Sequence, residues 1–254
     1  MRRGTHPRLE DEEVVMRIWS RARGAFDRRT SGVAAVVAAL AVAAATVGPA
    51  PSVASIPASA FPSKAVVKSV LDGKGHWRVS PGDLEKLGAK PRGCRSDKQM
   101  LAYDDARVRW YAGREVGMPR SVFTSAEIAV LTYADDAAAR AAVQRNASYP
   151  RRCPKVVEWV CTDCDGIDTT WRTRTPAARV GDQSVAWRFR QFGNLKSNGW
   201  AVVARDGATV VRVRTLRTRD VFAGGRHGYP RLMDKKVAVR LARTALSTAT
   251  SATT

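Results

Sequence analysis

Residues 200–213, WAVVARDGATVVRV, decide the fold. Two apolar runs, Trp200–Ala204 and Thr209–Val213, flank Arg205-Asp206-Gly207-Ala208. Asp-Gly between two such runs is the strongest short-range signal for a β-hairpin, so the sheet is antiparallel here. The same period of two appears upstream, where Val185, Trp187 and Phe189 alternate with Ala186, Arg188 and Arg190. Val156–Val160 and Thr169–Thr173 are shorter strand candidates, and Glu127–Tyr133, EIAVLTY, reads as a buried strand. Asp135 then caps a helix, DDAAARAAVQRNA, that is predicted to end before Pro150. Its small face, with Ala137, Ala141 and Val143–Gln144, suits close packing on a sheet.

Further from the hairpin the signals weaken. Ser80-Pro81-Gly82-Asp83 reads as a helix start, with Ser80 as cap and Gly88 as stop. Residues 61–79 give no firm assignment. Gly224-Gly225 and Gly228 mark a loop, and Tyr229–Leu246 reads as a closing helix with Leu232, Val237, Leu241 and Ala245 near one face. Residues 249–254 fall in a polar, disordered tail. Helix, strand, helix, several antiparallel strands, helix is the order of an α+β single domain. The expected architecture is a central antiparallel sheet with helices packed on one face.

The N-terminal part has a different character. Thr30–Ser63 carries no charge and contains Gly32–Val47, GVAAVVAALAVAAATV. A basic run with Arg21, Arg23, Arg28 and Arg29 precedes it, and Ala58-Ser59-Ala60 follows. Basic flank, apolar stretch and A-x-A are the parts of a signal peptide. The expected leader is residues 1–60, cut after Ala60, with the folded domain at 61–248 and the protein secreted. Retention as a membrane anchor through residues 32–47 is the alternative, though a bilayer core needs about 20 apolar residues. Met16 opens a more ordinary leader, so translation is read as starting there. Arg28-Arg29 matches a twin-Arg signal poorly, and the general secretory route ranks higher.

The four cysteines, Cys94, Cys153, Cys161 and Cys164, all lie beyond the leader. In an oxidising compartment an even number reads as two disulfides. Of the three pairings, Cys94–Cys153 with Cys161–Cys164 is preferred. The first closes a long loop, worth on the order of 4 kcal/mol, and the second a tight C-T-D-C turn. A redox C-x-x-C and a zinc site are the competing readings. Asp163, Asp165 and Gly166 surround the close pair, where a redox pair would open a helix. His6, His76 and His227 lie too far apart in sequence for a zinc pair.

The chain has 254 residues and a formal charge of +20. Residues beyond 60 hold 35 Lys and Arg against 18 Asp and Glu, a net +17, so the charge belongs to the folded domain. Arg outnumbers Lys 33 to 10, a bias that fits GC-rich codon usage. Arg188 and Arg190 on one strand, and Arg212 and Arg214 with Arg217 and Arg219 on another, are expected to share a basic sheet face. Such a face attracts anions. Export turns the reading away from nucleic acid and toward anionic lipid at a membrane surface or wall polymers. A face that is merely solvated is the plainer reading.

No G-x-S-x-G elbow, H-E-x-x-H helix or kinase motif is present. His76 and His227 are the only candidates beyond the leader for a hydrolytic site, and His227 sits in a glycine-rich loop. Asp163, Asp165 and Asp168 lack the EF-hand pattern. Asn146-Ala147-Ser148 fits a glycosylation sequon, read as chance. Nothing calls for a cofactor.

Several stretches together resemble the PknH-like extracellular sensor-domain family of actinobacteria. They are RVSPGDLEKLG (78–88), Cys94, AEIAVLTYADDAAARAAVQRNASYPRRCP (126–154), VGDQSVAWRF (180–189) and WAVVARDGATVVRVRT (200–215). The resemblance covers about residues 64–248. It implies an α+β fold with a central antiparallel sheet, two disulfides and a cleft for an extracellular ligand, and it carries over no catalytic residue. The Cys161–Cys164 spacing does not map onto it. The expected function is a non-enzymatic, sensor-like binding domain of the cell envelope. An envelope hydrolase and a protein that adheres to surfaces through charge alone are the alternatives.

Overall fold

A computed structural model of the chain describes residues 55–82, 103–118, 122–161, 166–175, 179–192, 195–220 and 228–253. The chain divides into two compact units, 1–51 and 52–254, and every described residue belongs to the second. No helix among the described residues is long and apolar enough to cross a membrane. The expected leader through residue 54, the helix over 83–88 and the Gly224-Gly225 loop lie outside the described residues.

Among the described residues, eight antiparallel strands form one sheet: β1 (Gly73–Gly82), β2 (Asp105–Glu115), β3 (Val122–Thr132), β4 (Lys155–Cys161), β5 (Gly166–Thr175), β6 (Gln183–Phe192), β7 (Leu195–Asp206) and β8 (Thr209–Asp220). Their spatial order is β1-β2-β3-β8-β7-β6-β5-β4. Two meanders, β1 to β3 and β4 to β8, meet at the β3–β8 pair, with Val122 opposite Arg219 and Thr132 opposite Thr209. The hairpin forms where the sequence places it. Asp206 pairs with Thr209, leaving Gly207-Ala208 as a two-residue loop. Gly207 has φ of 54° and Ala208 stays at negative φ, the pattern of a type II′ turn with glycine first.

Among the described residues three α-helices accompany the sheet: α1 (Lys64–Val70), α2 (Asp136–Arg152) and α3 (Lys235–Thr253). The α+β class and the single antiparallel sheet agree with the sequence reading, but the layering does not. Helices were expected on one face and they flank both. On the first face, α1 and α3 close a core with Ile128 and Val130 of β3, Val211 and Val213 of β8, and Val202 and Ala204 of β7. On the second, Ala139, Ala142, Val143 and Tyr149 of α2 meet Ala129, Leu131, Val203, Val210, Trp187 and Phe189. Strands buried on both sides read as continuous apolar runs, and EIAVLTY and TVVRV are such runs.

Several boundaries also move. Ser80–Gly82 do not start a helix; they end β1, paired with Trp110, Arg109 and Val108. As the edge strand, β1 tolerates Pro81 and its missing N–H. β2 had no counterpart in the sequence reading. Gly113 on β2 leaves room for the buried Trp77 ring, which a Cβ there would strike. α2 starts at the expected cap, where Asp135 accepts a hydrogen bond from the Ala138 N–H at 2.7 Å, but it continues through Pro150. A proline in the last turn removes one helical bond only, and its ring is buried. α3 begins later than Tyr229 and runs through Thr253, so residues 249–253 are helical. Ala245 and Ala249 continue its buried face, and Thr250 and Thr253 donate to carbonyls four residues back.

The folded unit also begins before residue 61. Ile56 and Ala60 are buried in the first core, beside Phe61.

Candidate functional site

The six arginines do not share a face. Successive side chains of a strand alternate, so Arg212 and Arg214 fall on the side of Val210 and Leu216, beneath α2. Arg217 and Arg219 are offset by odd numbers and fall on the opposite side. Arg188 and Arg190 lie on that opposite side too, with Ala186.

Arg212 and Arg214 are occupied by one another's neighbour. Glu127 of β3 is completely buried, and its two oxygens accept from Arg212 Nη2 at 3.0 Å and Arg214 Nη1 at 3.2 Å. The Arg214 guanidinium also lies 4.9 Å from the centre of the Phe189 ring. Burial holds Arg212 below the ordinary arginine value; the Glu127 charge opposes that shift and Arg214 adds to it. This arrangement is an internal ion triad, not a surface for a ligand.

On the other face, Arg217 grips Glu115 of β2. Its Nε lies 3.0 Å from both carboxylate oxygens, and Nη2 donates to Glu115 as well. Thr124 Oγ1 donates to the same carboxylate. Arg217 Nη1 also reaches the Arg231 carbonyl at 3.1 Å, and Arg219 Nη1 reaches the Gly228 carbonyl at 3.0 Å. Asn198 Nδ2 donates to Pro230 O at 3.4 Å and Trp200 Nε1 to Met233 O at 2.6 Å. Residues 228–234 thus form a strap across the sheet, pinned by side chains of β7 and β8 to its own carbonyls.

Arg188 and Arg190 remain. Arg188 Nε donates to Asn198 Oδ1 at 3.4 Å, and Arg190 lies 5.3 Å from the centre of the Tyr229 ring on the strap. Neither meets a carboxylate among the described residues. Burial lowers the Arg188 pKa, and the positive charge of Arg190 lowers it further. Burial raises that of Tyr229, against the pull of Arg190. The two cations therefore stand beside each other with a hydrogen-bonded amide, a phenol and the strap for company. Such a pair offers planar, multiply donating recognition to phosphate or carboxylate groups. Asn198, Tyr229 and the carboxylates Glu115 and Glu127 were not singled out from sequence. The lone Glu127 inside EIAVLTY was the available signal, because a carboxylate in a doubly buried strand needs a cation.

Cys153 is buried at the end of α2 and is disulfide-bonded. Cys94 and Cys164, and the Cys161 side chain, with the two pairings expected for them, lie outside the described residues. His76 is exposed on the edge strand, and His227, Asp163, Asp165 and the Asp168 side chain lie outside the description. No group of side chains with metal-binding composition occurs among the described residues. The sequon asparagine, Asn146, is buried within α2 and donates to Ala142 O at 2.9 Å, which closes it to a glycan. A hollow of about 20 Å³, lined by residues including Asn146, Pro150, Val185 and Trp187, holds a single water at most. It is not the ligand cleft that the resemblance implies.

No family model matches the chain, and no curated protein matches it. Among solved structures it is similar to the extracellular domain of PknH from Mycobacterium tuberculosis, at 14% identity and a TM-score of 0.46, over 76% of this chain and 93% of that one. It is also similar to an uncharacterised protein from Mycobacterium smegmatis, at 12% identity and a TM-score of 0.40, over 73% of this chain and 94% of that one.

Proposed function

We propose that the protein is a non-enzymatic, extracytoplasmic binding domain that takes an anionic envelope ligand at Arg188 and Arg190. The observation that carries this reading is the pairing of these two guanidinium groups without a carboxylate among the described residues, while Arg212 and Arg214 share the Glu127 carboxylate and Arg217 holds that of Glu115. Asn198 and Tyr229 hold the two groups in place, so an arriving anion meets fixed donors. The leader-like segment supports a ligand outside the cytoplasm, where anionic lipid headgroups and wall polymers offer phosphate and carboxylate groups. Sensor-like recognition, of the kind the family resemblance implies, requires no chemistry beyond this.

The test is cosedimentation with vesicles rich in phosphatidylglycerol and with an anionic wall polymer, each against a neutral phosphatidylcholine control. The double variant R188Q/R190Q is expected to weaken binding about tenfold or more, as charge-assisted hydrogen bonds are worth roughly 1.5–3 kcal/mol. K64Q/K74Q removes the same charge from exposed positions elsewhere. It is expected to change binding less than about twofold at physiological salt. Equal losses in the two variants would replace the site with adherence by charge alone.

A further inference from the structure

The segment Ser55–Ala60 belongs to the folded domain. The Ile56 N–H donates to Asp105 Oδ2 at 2.7 Å, and the Ile56 carbonyl accepts from Arg107 Nη1 at 3.0 Å. Both partners are on β2. The Ile56 side chain is 1% exposed, and Ala60, at the end of a 3-10 turn over Ala58–Ala60, is fully buried. Phe61 follows beneath the Arg109 guanidinium, 4.8 Å from the ring centre, and Tyr111 Oη donates to Pro62 O at 2.8 Å. Every other residue of β2 from Asp105 to Tyr111 thus holds the incoming chain.

A cut after Ala60 would remove this segment. The core would lose Ile56 and Ala60, and Asp105 and Arg107 would lose their backbone partners. The new ammonium would be created on a buried residue, Phe61, whose ring lies under the Arg109 guanidinium, and burying a new charge is costly. The sequence offers a second small-x-small site just upstream, Ser52-Val53-Ala54, closer to the end of the apolar run at Val47. It lies just before Ile56, the first residue that β2 holds, and the Ser55 that follows it is exposed.

We propose that the mature chain starts at Ser55, with the cut between Ala54 and Ser55. An export-associated peptidase hydrolyses that amide: water adds hydroxide to the Ala54 carbonyl, and the departing Ser55 nitrogen takes up the proton. The product keeps the whole β2-bound segment and loses no charge relative to a cut at Ala60, because residues 55–60 are uncharged. The proposal rests on reading residues 32–47 as the core of a cleaved leader.

The full chain, expressed in a secreting bacterial host, is analysed by intact mass and N-terminal sequencing as wild type, A54R and A58R. Ala58 is exposed, so arginine there spoils the downstream site without entering the core. Wild type and A58R are expected to begin at Ser55, and A54R to lose that terminus. A wild-type terminus at Phe61, or a block in A58R, overturns the proposal while leaving the leader reading intact. A wild-type chain that keeps residues 32–47 overturns both.

Discussion

Glu127 shows how one residue can organise a site and hide it. A fully buried carboxylate between two guanidinium groups gains Coulomb energy only because both its oxygens are engaged. Removing it leaves Arg212 buried without its counter-charge. Glu127→Ala is therefore expected to cost about 3–5 kcal/mol, read as a shift in the urea midpoint at constant slope. A loss below about 1 kcal/mol would mean that the triad contributes little. The same residue explains what was legible at the site. The arginine positions were plain in the sequence, and the period of two was read along residues 185–190 and 211–214. What was missed is that Arg214 and Arg217 are an odd number apart, which sends them to opposite faces. Which cations meet a carboxylate depends on Glu115 and Glu127, partners 102 and 85 residues away in sequence. No local pattern carries contacts of that range.

At the level of elements, the ends of helices were legible where a side chain makes the end. Asp135 announced α2 and caps it. The helix C-termini were not legible, because Pro150 and the Ser/Thr-rich stretch after Leu246 resemble stop signals in isolation. Tertiary burial of Pro150 and Ala249 overrides them. β2 escaped notice because DARVRWYAGRE has only Val108, Tyr111 and Glu115 buried, so its apolar period is broken by arginines that serve the N-terminal segment. The start of α2 also carries a titration. Asp136 is drawn up by burial, but hydrogen bonding and charge from Arg205, aided by Arg140, outweigh this and hold its carboxyl below the usual range. A carboxylate depressed in the folded state stabilises fully above its unfolded value of about 3.9 and loses that contribution as pH falls through the lower, folded value. Asp136→Asn is expected to flatten this part of the acid limb in melting temperatures measured from about pH 5 to about pH 2. Parallel curves for the two proteins would show that the Arg205 contact carries no linkage.

For the molecule as a whole, class and strand direction followed from the Asp-Gly hairpin and the order of elements. Layering did not, since nothing local says that a sheet will be covered on both sides. The order β1-β2-β3-β8-β7-β6-β5-β4 has a further consequence. Within β4 to β8 each strand pairs with its neighbour in sequence, so loops to be closed are short. The β3–β8 pair joins residues between 77 and 97 positions apart. Loop closure makes such non-local pairing slow. Val202→Ala, inside the meander, is expected to slow folding, whereas Val130→Ala, on the seam, is expected mainly to speed unfolding. Chevron plots of the two variants measure this, and equal φ-values would contradict it. Until β3 arrives, β8 presents a long row of unpaired backbone groups, rich in valine, to any chain nearby. The strand that finishes in the middle of the sheet spends the folding reaction as its most adhesive edge.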